Sequence, residues 1–238
     1  MERLPERTGV YGYLQRPSLV DYPGHIAAVY FTSGCNFTCG YCHNAPLLGE
    51  RTAGLSLGEL KETVERFKVR DWINGVTITG GEPSLLPHLP ALVSWFKEQN
   101  LDVKLDTNGS NPRLLKRMLP YLDYVAMDIK CALSSYPTFV SYNKTENIQA
   151  SVDILKEWNG ISEFRTTILE EFHSEEQMRQ IIELIDGVAL YTLQPFVPRD
   201  NLPDVSMRTM NRTSPDLLKS YAQMLAPHAG QVTIKGNS

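Results

Sequence analysis

The amino-acid sequence predicts an α/β fold in which parallel strands alternate with helices. The chain has 238 residues, a length that suits one large domain or two small ones. Short β-branched or aromatic runs alternate with segments whose apolar residues recur at helical spacing. This strand-then-helix pattern occurs six times and implies parallel strands joined by right-handed crossovers. Six units are too few for a closed eight-fold barrel, so a three-quarter barrel and an open doubly wound sheet both agree with the pattern.

Six strands are predicted from runs rich in β-branched and aromatic residues, and a short seventh strand is predicted near the C-terminus. The predicted strands are Ile26–Thr32, Gly75–Thr79, Asp102–Asp106, Tyr124–Asp128, Glu163–Leu169, Val188–Gln194 and the short Gln231–Lys235. In both candidate folds the chemistry collects at the carboxyl ends of the strands. The residues that follow each strand are therefore the candidates for a functional site.

Five helices are predicted from apolar residues that share one helical face, and a shorter helix is predicted over Asn111–Leu119. The shared faces are Leu57, Leu60, Val64 and Phe67; Leu89, Leu92, Val93 and Phe96; Ile148, Val152 and Leu155; Met178, Ile181, Ile182 and Ile185; and Leu217, Leu218, Tyr221 and Leu225. Ser56 and Ser174 are each followed three residues later by a Glu or Gln, which predicts a capping box at both helix starts. Ser214 precedes a proline, as expected of a capping residue at a third helix start.

Composition and charge exclude several classes of protein. Apolar residues make up 42% of the chain and charged residues 21%, as in ordinary globular proteins. The 23 basic and 27 acidic residues give a net charge of −4, which argues against a nucleic-acid partner. No apolar run approaches the roughly 18 residues that span a bilayer, and no apolar segment follows the charges of Met1–Arg7 as in a signal peptide. We therefore expect a cytoplasmic protein without a membrane partner.

Three of the four cysteines follow the first predicted strand. Cys35, Cys39 and Cys42 have the spacing Cys-x3-Cys-x2-Cys. Three thiolates from one short loop can hold three irons of a cubane iron–sulfur cluster, which leaves the fourth iron open, as a catalytic metal site requires. Cys131 lies far outside this loop and is predicted to be a buried or peripheral thiol. His25, His88, His173 and His228 have no evident partner in the sequence and are interpreted as structural.

Three other interpretations of the cysteine loop remain open. The cysteines and His43 could bind structural zinc, although a histidine directly after Cys42 strains a tetrahedral site. The run from Cys39 to His43 matches a c-type haem attachment pattern, which normally accompanies export. The cysteines could also be three unrelated buried thiols, but their tight spacing makes that improbable. The open cluster is the favoured interpretation.

Glycine or polar residues also follow the other strands. Taken in order, they are Gly80-Gly81-Glu82-Pro83, Asp106-Thr107-Asn108-Gly109, Asp128-Ile129-Lys130, Arg165 within the fifth strand, and Gln194-Pro195-Phe196. Each of these alone is more often turn chemistry or a solvated surface pair. Their recurrence at the same end of successive strands favours one shared site.

Together these motifs resemble the radical S-adenosylmethionine (SAM) superfamily. The three-cysteine loop with Tyr41 before its last cysteine is similar to the superfamily's signature, and Gly80–Pro83 is similar to its second motif. More narrowly, Ser18–Gly24, Gly34–Phe37 and Tyr41–Asn44 resemble the activating enzymes of glycyl radical enzymes, and most of all those of anaerobic ribonucleoside-triphosphate reductase. The resemblance extends from about Gly12 to about Pro198.

This resemblance implies a partial (β/α)6 TIM-like barrel, the radical SAM fold. It implies a single domain over 1–238, with a core of about 12–198 and a C-terminal helix and short strand over 199–238. Its cofactors would be a [4Fe–4S] cluster on Cys35, Cys39 and Cys42, S-adenosylmethionine, and a monovalent cation near Asp106, Thr107 and Asp128. The implied cofactor-binding residues are Tyr41, His43, Gly80, Gly81, Glu82, Asp106, Thr107, Asn108, Asp128, Lys130, Arg165 and Gln194.

The implied activity is reductive cleavage of SAM followed by generation of a glycyl radical on a partner enzyme. The electron donor would be of the flavodoxin or ferredoxin type, and Pro198–Ser238 would form part of the docking surface for the partner. One departure is Pro195-Phe196-Val197, where the formate-lyase activases have Pro-Tyr-His. The alternatives are a radical SAM enzyme acting on a small molecule, such as a deazapurine-forming one, and a non-catalytic metal-cluster protein that transfers electrons.

Overall fold

The computed structural model describes residues 3–49, 52–69 and 72–236. The first two residues of Met1–Arg7, and the last two of the predicted docking segment Pro198–Ser238, lie outside the described residues. Strands and helices alternate through most of the described chain. In chain order the elements are β1 (Val10–Tyr13), β2 (Ala27–Thr32), α1 (Leu57–Lys68), β3 (Gly75–Gly80), α2 (Leu89–Glu98), β4 (Asp102–Thr107), α3 (Pro112–Met118), β5 (Tyr124–Asp128), α4 (Tyr136–Phe139), α5 (Thr145–Glu157), β6 (Ile161–Ile168), α6 (Glu175–Ile185), β7 (Val188–Pro195), α7 (Pro215–Leu225) and β8 (Ala229–Ile234).

The strands follow one another in the sheet in the order β1 to β8. β2 pairs with β3, β3 with β4, β6 with β7 and β7 with β8, all in parallel, whereas β1 is antiparallel to β2. A mostly parallel sheet with a helix between most neighbouring strands confirms the predicted α/β fold class. Within the described part of the chain, every helix is too short or too polar to cross a lipid bilayer.

Contacts between Cα atoms divide the chain into two compact units. The first comprises Met1–Asn36, Pro46–Thr107 and Arg113–Val125, and the second comprises Phe37–Ala45, Asn108–Pro112 and Ala126–Ser238. The three-cysteine loop begins in the first unit with Cys35 and continues in the second with Cys39 and Cys42. The expectation of a single domain over 1–238 stays a prediction.

The core of the first unit forms where β2 and β3 meet the apolar faces of α1 and α2. Its helical members are Leu60, Val64, Phe67, Leu89, Leu92, Val93 and Phe96, all of which are fully or almost fully buried. Ser56 caps α1 with the predicted capping box, because its side chain accepts from the Glu59 amide while the Glu59 carboxylate accepts from the Ser56 amide. The helical periodicity of the sequence therefore predicted these two faces correctly.

The core of the second unit is formed by β6 and β7 together with α5 and α6. Phe164, Tyr191 and Leu193 are buried in the strands, and the predicted faces of α5 and α6 are buried as well. Ser174 caps α6 by accepting from the Gln177 amide, but the predicted capping box is incomplete. The Gln177 side chain turns away to accept from the Ala132 amide at 3.0 Å and to donate to Ser135 Oγ at 2.7 Å.

The strand predictions need correction at β1, β6 and β8. β6 begins at Ile161, two residues before the predicted Glu163. β1 was absent from the prediction, because this four-residue strand carries a glycine and a register irregularity between Val10 and Gly12. Its pairing with β2, rather than its own side chains, defines it. β8 begins at Ala229, two residues before the predicted Gln231, because Ala229 pairs with Val188 at the start of β7.

Candidate functional site

The turn after β3 is held against the start of the cysteine loop by backbone hydrogen bonds. The Gly81 amide donates to the Thr32 carbonyl at 2.9 Å, and the Glu82 amide donates to the Gly34 carbonyl at 2.8 Å. A Cβ at Gly81 would lie 2.2 Å from the Gly34 oxygen, and Gly80 has a φ of +127°. Both positions therefore require glycine. The Gly-Gly pair is turn chemistry, as one interpretation held, and the turn also positions the loop that begins at Gly34.

Glu82 connects this turn to the end of β4. It is buried, and its Oε1 accepts from the Ser84 amide at 2.9 Å and from the Thr107 hydroxyl at 2.7 Å. Two charge-assisted hydrogen bonds compensate for the burial of a carboxylate. Glu82 and Thr107, both predicted site residues, are thus brought together within the first unit.

Asp106 forms an ion pair with a buried lysine that the sequence analysis did not single out. Lys104 and Asp106 are two residues apart on β4, so their side chains project from the same face of the strand. The Lys104 ammonium donates to Asp106 Oδ1, and only 1% of Lys104 is exposed. A lysine in a strand is usually assigned to the surface, and no signal in the sequence other than the spacing to Asp106 indicated its burial.

In the second unit the end of β5 carries a triad of one carboxylate and two cations. Arg165 Nε donates to Asp128 Oδ1 at 2.8 Å, and Lys130 Nζ donates to Asp128 Oδ2 at 3.0 Å. Burial raises the pKa of Asp128, but the charges of Arg165 and Lys130 outweigh it and hold that pKa well below its usual range. Burial lowers the pKa of Lys130, while Asp128 and Cys39 raise it, with a net upward shift. The predicted residues Asp128, Lys130 and Arg165 therefore form one ionised group.

The backbone around Lys130 is held by side chains from α4, from β6 and from the segment that follows β6. The Lys130 amide donates to Tyr136 Oη at 3.0 Å, and the Lys130 carbonyl accepts from His173 Nε2 at 3.0 Å. The Ile129 carbonyl accepts from Thr166 Oγ1 at 2.8 Å. These bonds fix the backbone that carries the triad at a point where strand pairing ends.

His173 is a buried residue whose contact with the Lys130 backbone the sequence did not reveal. Its Nδ1 accepts from the Leu169 amide at 3.0 Å, so the proton is on Nε2, where it is donated to Lys130. Burial lowers the pKa of His173 to about 4, despite the opposing hydrogen bonds with Lys130 and Leu169. His173 therefore has hydrogen-bond partners that were not evident in the sequence, and these buried backbone contacts agree with its interpretation as structural. Its position shortly after β6, in line with the other strand ends, is the signal that could have identified it.

The cysteine loop of the second unit is enclosed by aromatic side chains. Tyr41 is buried and its hydroxyl has no hydrogen-bond partner among the described residues. The Tyr41 ring stacks on Phe139 at 5.4 Å, and Phe139 stacks on Phe172 at 3.6 Å. Burial raises the pKa of Tyr41 well above its usual range, and the neighbouring Cys39 raises it further.

The remaining predicted residues are placed as follows. His43 Nε2 donates to the Val197 carbonyl at 2.9 Å. Asn108 Oδ1 accepts from the Ser110 amide at 3.0 Å in a local turn, and Gln194 Oε1 accepts from Thr167 at 3.5 Å. Cys131 is fully buried, as predicted.

The donor groups of the loop fit a thiolate-bound cluster. Cys35, Cys39 and Cys42 are thiols rather than parts of disulfides. Burial raises the pKa values of Cys39 and Cys42, and the Lys130 ammonium opposes that shift at both. The unpartnered Tyr41 hydroxyl can donate to a sulfur ligand. Among the described residues, no three His, Cys, Asp or Glu side chains lie close enough together to hold a single metal ion.

A mostly parallel α/β sheet with thiol and ionic side chains after its strands is typical of cofactor-binding α/β enzymes. The chain belongs to the radical SAM superfamily, whose sequence model matches residues 29–185. Proteins of this superfamily use a [4Fe–4S] cluster and S-adenosylmethionine, and the protein is therefore a radical SAM enzyme.

Individual relatives point to two activities. A Methanocaldococcus jannaschii protein, named provisionally as a glycyl-radical enzyme activating enzyme, is 31% identical over 191 residues, 77% of this chain and 78% of its own length. A 7-carboxy-7-deazaguanine synthase of Thermococcus kodakarensis is 27% identical over 186 residues, 70% of this chain and 72% of its own. The crystal structure of a domain of a Bacteroides vulgatus pyruvate-formate lyase-activating enzyme aligns with a TM-score of 0.55 at 19% identity, over 68% of this chain and 99% of that one. This last likeness shows the fold.

Proposed function

We propose that the protein is an activating enzyme that generates a glycyl radical on a partner enzyme, and that this partner is an anaerobic ribonucleoside-triphosphate reductase. The observation that carries the proposal is the 31% identity, over 77% of the chain, to a protein provisionally named as a glycyl-radical enzyme activating enzyme. The resemblance of Ser18–Gly24 and Tyr41–Asn44 to the reductase activases supports the choice of partner. A flavodoxin- or ferredoxin-type protein would deliver the electron.

Cys35, Cys39 and Cys42 would hold three irons of the cluster and leave the fourth open. When bound, the cluster and S-adenosylmethionine supply reductive cleavage of the cofactor's carbon–sulfur bond. The buried Tyr41 hydroxyl would donate to a sulfur of the loop, and the aromatic layer of Phe139 and Phe172 would limit the access of water to it.

The triad of the second unit would bind the carboxylate of S-adenosylmethionine. Lys130 and Arg165 contribute two positive charges, and Asp128 contributes one negative charge. The net charge of the triad is therefore positive, and a carboxylate placed beside it completes the charge balance. Gly80 and Gly81 would present backbone oxygens to the cofactor's amino group. Tyr41, His43, Asn108 and Gln194 are proposed as further contacts.

The experiment is anaerobic reconstitution followed by measurement of iron, sulfide and 5′-deoxyadenosine, with and without the reductase. We expect cofactor cleavage, and a glycyl radical signal on the partner by electron paramagnetic resonance. Cys39→Ala is expected to abolish cleavage. Its matched control is Cys131→Ala, which makes the same chemical change at a cysteine outside the loop. Equal loss in the two variants would contradict the assignment of the cluster loop.

The second candidate function is action on a small molecule, and the similarity to a 7-carboxy-7-deazaguanine synthase over 70% of the chain favours it. Formation of 7-carboxy-7-deazaguanine without a partner protein would support this activity over the first. A reconstituted cluster that never cleaves S-adenosylmethionine would instead indicate an electron-transfer protein.

A further inference from the structure

A buried ammonium group lies beside a carboxylate that the family resemblance assigns to a monovalent cation. Lys104 of β4 is 1% exposed, and its Nζ donates to Asp106 Oδ1. The same nitrogen lies 5.7 Å from the centre of the Tyr124 ring, within the range of a cation–π contact. Burying a lysine is costly unless its charge is paired. Asp106 and Tyr124 provide that compensation in the first unit.

The side chains expected to hold a monovalent cation are already engaged within their own units. Asp106 is paired with Lys104, and Asp128 is paired with both Lys130 and Arg165. The Thr107 hydroxyl donates its proton to Glu82. The two carboxylates are thus matched by three cationic side chains of the chain itself. A free cation at Asp106 would have to approach an ammonium of the same charge, so Asp106 does not fit as a ligand of a monovalent cation.

We propose that the Lys104 ammonium takes the place of a monovalent cation at Asp106, so that binding of S-adenosylmethionine by this protein needs neither potassium nor ammonium ions. The inference rests on the proposed function, because it takes Asp106 to be part of the cofactor site. A tethered ammonium stays beside the carboxylate at every salt concentration, whereas a free ion must be bound from solution.

The position of Lys104 in the sheet makes this arrangement possible. Lys104 pairs in register with Thr77 of β3. Thr77 is fully buried, and its own hydroxyl donates to the Asp21 carbonyl at 3.3 Å. Because this neighbour is small and already hydrogen-bonded, it leaves room for the lysine side chain to extend along β4 to Asp106. The positive charge beside Asp106 is therefore supplied by a residue of β4 itself.

The test compares cation dependence in the wild type and in Lys104→Met, a variant of similar length without the charge. Binding of S-adenosylmethionine to the reconstituted protein is measured by calorimetry in potassium chloride and in tetramethylammonium chloride of equal ionic strength. We expect the wild-type affinity to differ by less than about 2-fold between the salts, because its cation is tethered. Lys104→Met is expected to bind about 10-fold more weakly in tetramethylammonium and to recover in potassium or ammonium chloride.

A second readout uses the protein without cluster or cofactor. Potassium should raise the unfolding temperature of Lys104→Met but not that of the wild type, because only the variant has a vacant cation position. The matched control is Lys97→Met, which removes a lysine paired with Asp123 in the same unit and should gain no potassium response. The double variant Lys104→Met with Asp106→Asn removes both charges, should fold, and should lose the response.

Each outcome separates the inference from the proposed function. A wild type that needs potassium, or a Lys104→Met variant without a potassium response in either readout, would overturn the inference. If the wild type binds no S-adenosylmethionine in either salt, the proposed cofactor site fails, and the unfolding temperatures still decide whether Lys104 replaces a cation.

Discussion

Replacing His173 with phenylalanine is expected to weaken both the stability of the protein and its affinity for S-adenosylmethionine. The phenyl ring keeps the edge contacts with Phe139 and Phe172, whose centroids lie 5.7 and 5.1 Å from the His173 ring. It removes the donor to the Lys130 carbonyl and the acceptor for the Leu169 amide. The substitution therefore removes polar contacts while preserving the packing of the ring.

The magnitude follows from the two backbone groups that lose their partners. Each unsatisfied buried group costs about 1–3 kcal/mol, so we expect a net loss of about 3 kcal/mol once the more apolar ring is counted. For a chain of this length that loss corresponds to a decrease of about 6–12 °C in the unfolding temperature. Affinity for S-adenosylmethionine should fall about 10-fold, because the Lys130 backbone is no longer fixed.

The assay is urea unfolding of the cluster-free protein together with calorimetric titration of the reconstituted protein. His173→Gln retains a donor toward Lys130 and should recover most of the affinity. Tyr221→Phe is the matched control: it removes a hydroxyl that donates to the His173 carbonyl, and it should lower stability without changing affinity. If His173→Phe binds S-adenosylmethionine as tightly as the wild type does, His173 does not position Lys130.

Three further predictions follow from the same contacts. Because the pKa of His173 is about 4 in the folded protein and the ordinary value of 6.5 applies in the unfolded chain, the unfolded chain takes up the proton first. The free energy of unfolding should therefore decrease as the pH falls from 6.5 to 4. Urea titrations should show a smaller decrease in His173→Gln; equal slopes would contradict the assignment. Gly81→Ala places a Cβ 2.2 Å from the Gly34 oxygen and should reduce the iron bound on reconstitution. Gly58→Ala on α1, whose Cβ would make only an ordinary contact with Ser56 Oγ at 3.8 Å, should bind iron normally. Arg165→Met leaves Asp128 with Lys130 alone and should destabilise the protein by about 2–3 kcal/mol. Its control, Arg179→Met, breaks only the exposed ion pairs with Glu175 and Glu176 and should cost less than about 1 kcal/mol.

Much of the fold could be predicted because the sequence pattern and the tertiary structure agree. Tyr124–Asp128 is a strand with the predicted bounds, since an apolar run ending in a charged residue specifies both burial and termination. The faces of α1 and α6 follow from helical periodicity in the same way. β1 could not be predicted, because its strand character comes from pairing with β2 and its glycine weakens the local signal.

The candidate site was predicted as a set of residue types, but its contacts depend on tertiary structure. The spacing of Asp128 and Lys130 indicated a shared face, and the 3.0 Å bond confirms it. The direction of Arg165 could not be read from an isolated strand; the neighbouring carboxylate determines it.

Lys104 and His173 show why the rest of the site could not be predicted. Both are buried polar residues, and such residues are tolerated only where distant segments supply partners. For Lys104 the partners are Asp106 and the Tyr124 ring, and for His173 they are the Leu169 amide and the Lys130 carbonyl. A single sequence shows which residues are able to carry charge or donate a proton, whereas the fold decides which of them must be buried and paired. Sequence patterns therefore assign residues such as Lys104 to the surface and His173 to the core, and do not show which polar groups they contact.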